Sequence, residues 1–427
     1  MRILHLVHQY MPEKIGGTEL YTRTLARQQR QLGHHVAIFT PSRQLISGDS
    51  LYQSEMADEG VIYRVPVGPR SDTAVFAATF QPTWSQSPLL QALANIIDQE
   101  KPDLIHIQHL MGIPAAAINV IKKNGRCYLV TLHDYWHLCA NAQLITNYNN
   151  TICAGPNWWL NCARCALARI GQPNLIPATA VIAPLFAYRE HQLRRVLNQA
   201  ASLIAPTHFT ADTHIKAGIS PQKINVIPHG IALPTSMPDR THQPTANQPL
   251  HIGYIGGLSW QKGVHILIEA VNQLPTSDVT LTIYGDPAPF PDYVTQLHQT
   301  ATHPAIHFAG RLPHADLWAT LVNLDVVVVP SLWYETASLI VQEAFAAGVP
   351  VIASDVGALK ERVVHGVDGY HFPPGDVDQL AHYLQKLYHS LPLRQQLKAG
   401  IKPVQTIAQH TDQILAQYHH ALAHASR

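Results

Sequence analysis

One rhythm constrains this chain more than any other feature. Short apolar runs alternate with longer amphipathic segments, and the alternation stops once and then restarts. In the first part "RILHLV", "HVAIFT", "DLIHI", "CYLVTL" and "SLIAP" read as buried strands. Helical patterns lie between them. One runs through "TELYTRTLARQQRQLG", with Thr18 as its N-cap and Gly33 as its stop, and others cover 88–99, 112–123 and 208–217. Residues 228–249, "PHGIALPTSMPDRTHQPTANQP", are rich in Pro, Thr and Gln and break the rhythm. After them "HIGYIGG", "VTLTIYG", "IHFAG", "DVVVVP" and "PVIAS" alternate with helices over 261–273, 292–301, 314–323 and 337–347. Strands alternating with helices build parallel sheets covered on both faces. A chain of 427 residues also exceeds one ordinary core. The expected fold is α/β, with two doubly wound, Rossmann-like domains facing a cleft. They cover residues 1–228 and 250–403, joined by a linker at 229–249. A helical tail at 404–427 is expected to pack back on the first domain.

Composition narrows the classes. Hydrophobic content of 46% against 13% charged residues excludes a disordered chain. A net charge of +1 removes the case for nucleic acid as the main partner. No segment offers the roughly 20 apolar residues of a membrane span. The nearest, "LIPATAVIAPLFAY", is short and carries Pro177 and Pro184. With no signal peptide apparent, a cytoplasmic protein is expected. The 27 histidines read as composition, not as a metal site.

In open parallel sheets ligands sit beyond the carboxyl ends of strands, so the loops there carry the chemistry. In "YIGGLSWQKG", Gly256 and Gly257 let backbone approach a ligand. The amides of the following helix start favour an anion, and Lys262 adds a point charge suited to phosphate. The plainer alternative is a Gly-rich turn with a surface lysine. "HQYMPEKIGGTEL" repeats the design with Gly16 and Gly17, where an ordinary loop is the simpler reading. "VTLHDYWHLC" sets His133 and Asp134 at a strand end, either as a hydrogen-bonding or acid–base position or as a structural histidine beside an N-cap aspartate. In "PSLWYETASLIVQEAFAAGVPVIAS", Glu335 lies just past a strand. A helix beginning near Thr336 would put Glu343 about two turns in. There its carboxylate would accept two hydrogen bonds from a vicinal diol such as ribose. The amides of Ala337, Ser338 and Leu339 would form a second anion-binding terminus. The bland alternative for Glu343 is a helix acid paired with a base.

Taken together, these segments resemble the retaining, nucleotide-sugar-dependent GT-B glycosyltransferases that include bacterial glycan and lipopolysaccharide mannosyl- and glucosyltransferases. The matching pieces are "IGG", "HD", "IPHGI", "IGGLSWQKG", "FAGRL", "DVVVVPSLWYE", the E-x7-E pair, "EAFAAGVPVIASDVG" and "DGYHFPPGD", in the family's order over nearly the whole chain. The resemblance implies donor-diphosphate contacts from Gly17, Gly257, Lys262, Ser338 and Leu339. It implies catalytic contacts to the donor sugar from His133 and Glu335, and a ribose contact from Glu343. Two departures stand out. Gly257 occupies the position where the family often has an arginine, and "TAS" follows Glu335 where a Gly-rich "GFG" is common. No Asp-x-Asp appears in the donor half, so no cofactor is expected to be needed for catalysis. The implied reaction moves a sugar from a UDP- or GDP-sugar to a hydroxyl of a glycan or lipid-linked acceptor in cell-surface polysaccharide synthesis. A nucleotide-sugar epimerase and a catalytically silent binding scaffold are the rival readings.

Four of the five cysteines, Cys139, Cys153, Cys162 and Cys165, cluster in an insert at about 139–165. The readings are a structural zinc or iron–sulfur site, reduced thiols in a folded insert, or disulfides if the chain is exported. The segment "PLFAYREHQLRRVLNQA" sets Arg189, Arg194 and Arg195 beside apolar residues. It is either a peripheral membrane contact at the inner face or a solvated helix face.

Overall fold

A computed structural model describes residues 1–44, 50–241 and 248–425. The chain forms two compact units. One runs to Gly230 and includes the segment from Ile407 onward; the other spans Ile231–Thr406. Of the expected linker, residues 242–247 lie outside the described residues. Just before them, Arg240 ties the chain to the second unit through Asp325 at 2.7 Å.

The first unit is built on eight strands: β1 (Arg2–Leu6), β2 (His35–Ser42), β3 (Gln53–Ala57), β4 (Gly60–Pro66), β5 (Leu104–Ile107), β6 (Cys127–Thr131), β7 (Ser202–Ala205) and β8 (Ile224–Val226). Their order is β3-β4-β2-β1-β5-β6-β7-β8. All neighbours run parallel except β3, which pairs antiparallel with β4. The hairpin β3–β4 was not expected, because "QSEMA" is exposed and polar on both faces and carries no strand periodicity. The order reverses between β1 and β5, which makes that pair the switch point of the sheet.

Strand side chains alternate between two buried layers. Leu4, Leu6, Ile105, Val130 and Leu203 face Leu93, Ile96 and Ile97 of the helix Pro88–Glu100. On the other face Ile3, Leu104, Leu129 and Ile204 meet Tyr21 and Leu25 of the helix Gly17–Gln31. Ile414 and Tyr418 of the C-terminal helix Ile407–Ala425 complete that layer.

Three helix expectations change. The first helix begins at Gly17 with Gly16 as N-cap, not at Thr18. The helix expected over 112–123 shrinks to Ala117–Lys123. Gly112 sits at φ +73°, and Pro114 disfavours helix in the residue before it. The segment that was too short for a membrane span and carries two prolines lies within one 24-residue helix, Ile176–Gln199. Pro177 fits its first turn, where no donor is needed, and only Pro184 lies inside it. Among the described residues no helix is long and apolar enough to cross a membrane.

The second unit has six parallel strands: β9 (Leu250–Ile255), β10 (Val279–Tyr284), β11 (Ile306–Gly310), β12 (Val326–Val329), β13 (Val351–Ser354) and β14 (Gly369–Phe372). Their order is β11-β10-β9-β12-β13-β14. One layer joins Ile252, Leu281 and Val328 to Leu267 and Leu384, and the opposite layer joins Val327, Val351 and Ala353 to Val341, Ala344 and Leu359.

The C-terminal helix is a structural part of the first unit. Ile414→Ala leaves a cavity beside Tyr21 and Leu129 and should cost about 2–4 kcal/mol, measured as a lower urea midpoint for that unit.

Candidate functional site

In the second unit the strand order reverses between β9 and β12, so the loops after these two strands lie side by side. They are held at backbone level. The Leu332 amide donates to the Gln261 carbonyl at 2.8 Å. Gly263 sits at φ +69°, where a Cβ would lie 1.9 Å from the Pro330 carbonyl oxygen. Only glycine allows that approach.

This backbone contact delivers Lys262 to Glu335. The Lys262 ammonium donates to Glu335 Oε1 at 2.7 Å and lies 5.2 Å from the centre of the Trp333 ring. The same oxygen accepts from Ser331 Oγ at 2.7 Å and from Trp333 Nε1 at 3.0 Å. Among the described residues none donates to Oε2. The carboxylate is thus oriented from one side and available on the other. Ser331 and Trp333 were not singled out from sequence. Their signal is their place four and two residues before the acid on a tight strand exit. Gly257 has open space where a side chain would stand, and its carbonyl accepts from the Tyr254 phenol at 2.7 Å.

The helix carrying Glu343 is Leu339–Ala346. It begins three residues later than expected because Ser338, its N-cap, adopts φ +49° and cannot continue a helix. Glu343 therefore stands little more than one turn in, not two. Ala337 lies before the helix, while Ser338 and Leu339 form its start. The Glu343 side chain has no hydrogen-bond or ion-pair partner among the described residues. Burial pushes its carboxyl from 4.5 up to about 7.

In the first unit His133 follows β6. Its Nε2 meets Gln108 Oε1 at 2.8 Å, and its ring packs edge-on against Tyr21 at 4.7 Å. Burial, with His109 close by, pushes it down to about 3, so the ring is neutral. Asp134 turns instead to His109 Nε2 at 2.9 Å and to the Trp136 amide at 2.8 Å. Burial alone would raise this carboxyl, but His109 and the Trp136 amide outweigh it and hold it well below the usual range. Gly17 opens the helix whose Tyr21 touches His133, with open space at its Cα. Sequence reasoning missed Glu19. Its buried carboxyl lies close enough to Gly16 that a Cβ there would meet its Oε2 at 2.8 Å. A glutamate three residues after the N-cap was the available signal.

Cys139, Cys153, Cys162 and Cys165 line one apolar cavity of about 340 Å³ with Trp136, Leu167 and Phe186. None forms a disulfide. Burial pushes the Cys139 thiol up, and burial with the other three thiols nearby pushes Cys162 up to about 12. Among the described residues no group of three or more His, Cys, Asp or Glu side chains is set to hold a metal ion. Arg189 is not a surface cation. It is 2% exposed, donates to the Trp136 carbonyl at 2.6 Å and stacks over that indole at 4.2 Å. Arg194 pairs with Glu190, and Arg195 with Asn119.

These two units, each a doubly wound parallel sheet with its polar groups at the strand ends, have the fold of GT-B glycosyltransferases. Residues 238–402 match the family model for glycosyl transferases group 1, and residues 15–233 match that for glycosyltransferase family 4. The second match covers just over half of the chain, and the protein belongs to glycosyltransferase family 4. An MMP alpha-(1->4)-mannosyltransferase from Mycolicibacterium hassiacum is 25% identical over 403 residues, covering 88% of this chain and 86% of that one. Two glycogen synthases of Mycobacterium tuberculosis strains are 37% identical over 135 residues, 31% of this chain and only 32% of their own length. Anabaena Alr3699/HepE in complex with UDP shares the fold with a TM-score of 0.69 at 19% identity, over 98% of this chain and 100% of that one. Sucrose-phosphate synthase from Thermosynechococcus elongatus does so at 0.71 and 19%, over 99% of both.

Glu343 yields a stability test. The folded carboxyl titrates near 7 and the free group at 4.5, so the folded state holds an extra proton between those values. Stability contributed by this group falls as pH rises through that window. Glu343→Gln cannot titrate, so its thermal midpoint should drop less between pH 5 and pH 8 than that of the parent protein.

Proposed function

We propose that this protein is a retaining, nucleotide-sugar-dependent glycosyltransferase. It moves a hexose from a UDP- or GDP-sugar to a hydroxyl of a glycan or lipid-linked acceptor in cell-surface polysaccharide synthesis. One observation carries the reading: Lys262 and Glu335 meet at the switch point of the second sheet, with an unpartnered Glu343 on the helix that follows. A switch point is where such sheets bind nucleotides.

Each group has a task. Glu335 is held by Oε1 and offers Oε2 to hydroxyls of the donor sugar. Glu343, once ionised, accepts both hydroxyls of a ribose, a demand that only a carboxylate meets without a donor of its own. Lys262 and the amides at Ser338 and Leu339 stabilise the charge that grows on the departing diphosphate. The anomeric carbon–oxygen bond to phosphate breaks through an oxocarbenium-like state, and the acceptor oxygen bonds to that carbon on the same face. Its proton passes to the leaving phosphate. His133 of the first unit is read as a contact to the reacting sugar, and Gly17 as an amide for the phosphates. A lipid-linked acceptor at a membrane surface is supported by the apolar groups exposed on and beside the helix Ile176–Gln199, Leu175, Ile176, Val181, Leu185 and Tyr188 among them.

The test is a screen of UDP-, GDP-, ADP- and dTDP-sugars for binding and slow hydrolysis, with and without EDTA. One donor should be selected, and turnover should survive EDTA. Lys262→Ala and Glu343→Ala should each weaken its binding by about 1.5–3 kcal/mol, the worth of a hydrogen bond to a charged group. Folded protein that binds no donor would instead favour the silent scaffold. Epimerised donor without transfer would favour the epimerase.

A further inference from the structure

The first sheet carries a polar layer where a core is usually apolar. On the face covered by the helices Gly17–Gln31 and Ile407–Ala425, strands β1, β5 and β6 present Ile3, Leu104 and Leu129 toward their amino ends. Two residues further along, toward the carboxyl ends, they present His5, His106 and Thr131, all fully buried. Buried imidazoles and amides need partners, and each one here has them.

The partners form one long run and one short one. His133 Nε2 meets Gln108 Oε1 at 2.8 Å, and Gln108 Nε2 meets His5 Nδ1 at 3.0 Å. His5 Nε2 meets Gln29 Oε1 at 2.8 Å, and Gln29 Nε2 donates to the Tyr418 hydroxyl at 3.2 Å. That hydroxyl reaches His106 Nδ1 at 2.6 Å, and His106 Nε2 reaches Thr131 Oγ1 at 2.7 Å, where the long run ends. In the short run the Tyr21 phenol lies 2.8 Å from His410 Nε2, and His410 Nδ1 lies 2.7 Å from the Pro228 carbonyl oxygen.

The two glutamine carboxamides set the direction of the long run. Burial lowers His5, His106, His133 and His410 alike, so each ring is neutral and holds one hydrogen. A carboxamide oxygen only accepts, so Gln29 Oε1 accepts from His5 Nε2–H. His5 Nδ1 then accepts from the Gln108 amide, and Gln108 Oε1 is left facing His133 and can only accept. On the other side of Gln29 the Tyr418 hydroxyl accepts from the amide and donates to His106 Nδ1, and His106 Nε2–H donates to Thr131. In the short run the Pro228 carbonyl only accepts, so His410 Nδ1 carries a hydrogen and Tyr21 donates to His410 Nε2.

We propose that this chain fixes His133 as the Nε2–H tautomer, and that Tyr418 of the C-terminal helix acts as a positioning residue for it through Gln29, His5 and Gln108. The consequence for turnover rests on the placement of His133 at the reacting sugar argued above; the tautomer itself does not.

The experiment reads the two separately. Protein labelled with 15N-histidine is examined by long-range proton–nitrogen correlation, with His133 assigned by loss of its signals in His133→Gln. His133, His5 and His106 should be Nε2–H, and His410 Nδ1–H. Tyr418→Phe keeps the ring and breaks the chain at its middle. It should turn His133 into a tautomer mixture and lower kcat for donor turnover by about tenfold, a fraction of what an oriented proton-transferring or hydrogen-bonding group supplies, with donor KM unchanged. Tyr63→Phe removes another buried phenol of the same unit, outside the chain, and should leave tautomer and kcat as they were. Gln108→Met, at the other end, should reproduce the Tyr418→Phe result if that variant folds poorly. An Nδ1–H His133 in the parent protein overturns the proposal without any variant. So does a His133 tautomer unmoved in both variants, or a kcat that ignores a scrambled tautomer. A tautomer that responds as expected in a protein turning over no donor overturns the transferase reading and leaves the hydrogen-bond chain established.

Discussion

The close approach of Gly263 to the Pro330 carbonyl is the contact on which the rest of the second unit's site depends. Gly263 and Pro330, 67 positions apart in sequence, meet there without side chains between them. The Gln261–Leu332 backbone bond locks the same meeting. Backbone contacts place Cα atoms more tightly than side-chain contacts can, because no rotamer intervenes. Lys262 and Glu335 inherit that precision and need only short side-chain reach to pair. Ser331 and Trp333 then load one carboxylate oxygen with three donors, which fixes the plane of the group. A ligand competing for Lys262 would leave Glu335 still held by two neutral donors, so the acid keeps its orientation as the lysine turns to a phosphate.

The first unit solves the same problem by other means. At His133 it relies on a buried polar row. Such a row is costly unless every member is satisfied, since an unpaired buried group loses its water without replacement. The chain from His133 to Thr131 meets that condition by alternating groups that both donate and accept. Amides, hydroxyls and neutral imidazoles qualify, and carboxylates and ammonium groups do not. This explains why the layer is built from His, Gln, Tyr and Thr, and why burial keeps its histidines uncharged. A single protonated ring would carry two donors and break the direction of the chain.

What the sequence made legible follows from range. Strand identity, the two-part rhythm and the β9 and β12 loops are set by local pattern, and Lys262, Glu335 and Glu343 stand out because they are unusual within their own segments. A helix start was misjudged where a backbone feature decided it, as with the left-handed Ser338. Arg189 looked like a surface cation because its neighbours on the helix are exposed; its burial comes from Trp136, 53 residues earlier. The histidines are the clearest case. Spread along 427 residues they look like composition. Yet His5 and His106 are register partners across two strands 101 residues apart, and His410 arrives from the far end of the chain. No window of sequence contains that arrangement.

This also gives the C-terminal helix a role that packing alone would not. Ile414 and Tyr418 bury the same face of the sheet, but they differ in kind. Ile414 contributes area, and any side chain of its size and shape could do so. Tyr418 supplies the hydroxyl that joins Gln29 to His106, and His410 joins the Tyr21 phenol to the Pro228 carbonyl. Without the helix, Gln29, His106 and Tyr21 would each face an unfilled position. A first unit lacking this helix could keep its sheet and still hold His133 in no single tautomer. The residues that complete the fold last in sequence therefore settle the protonation pattern at a strand end nearly 300 residues earlier.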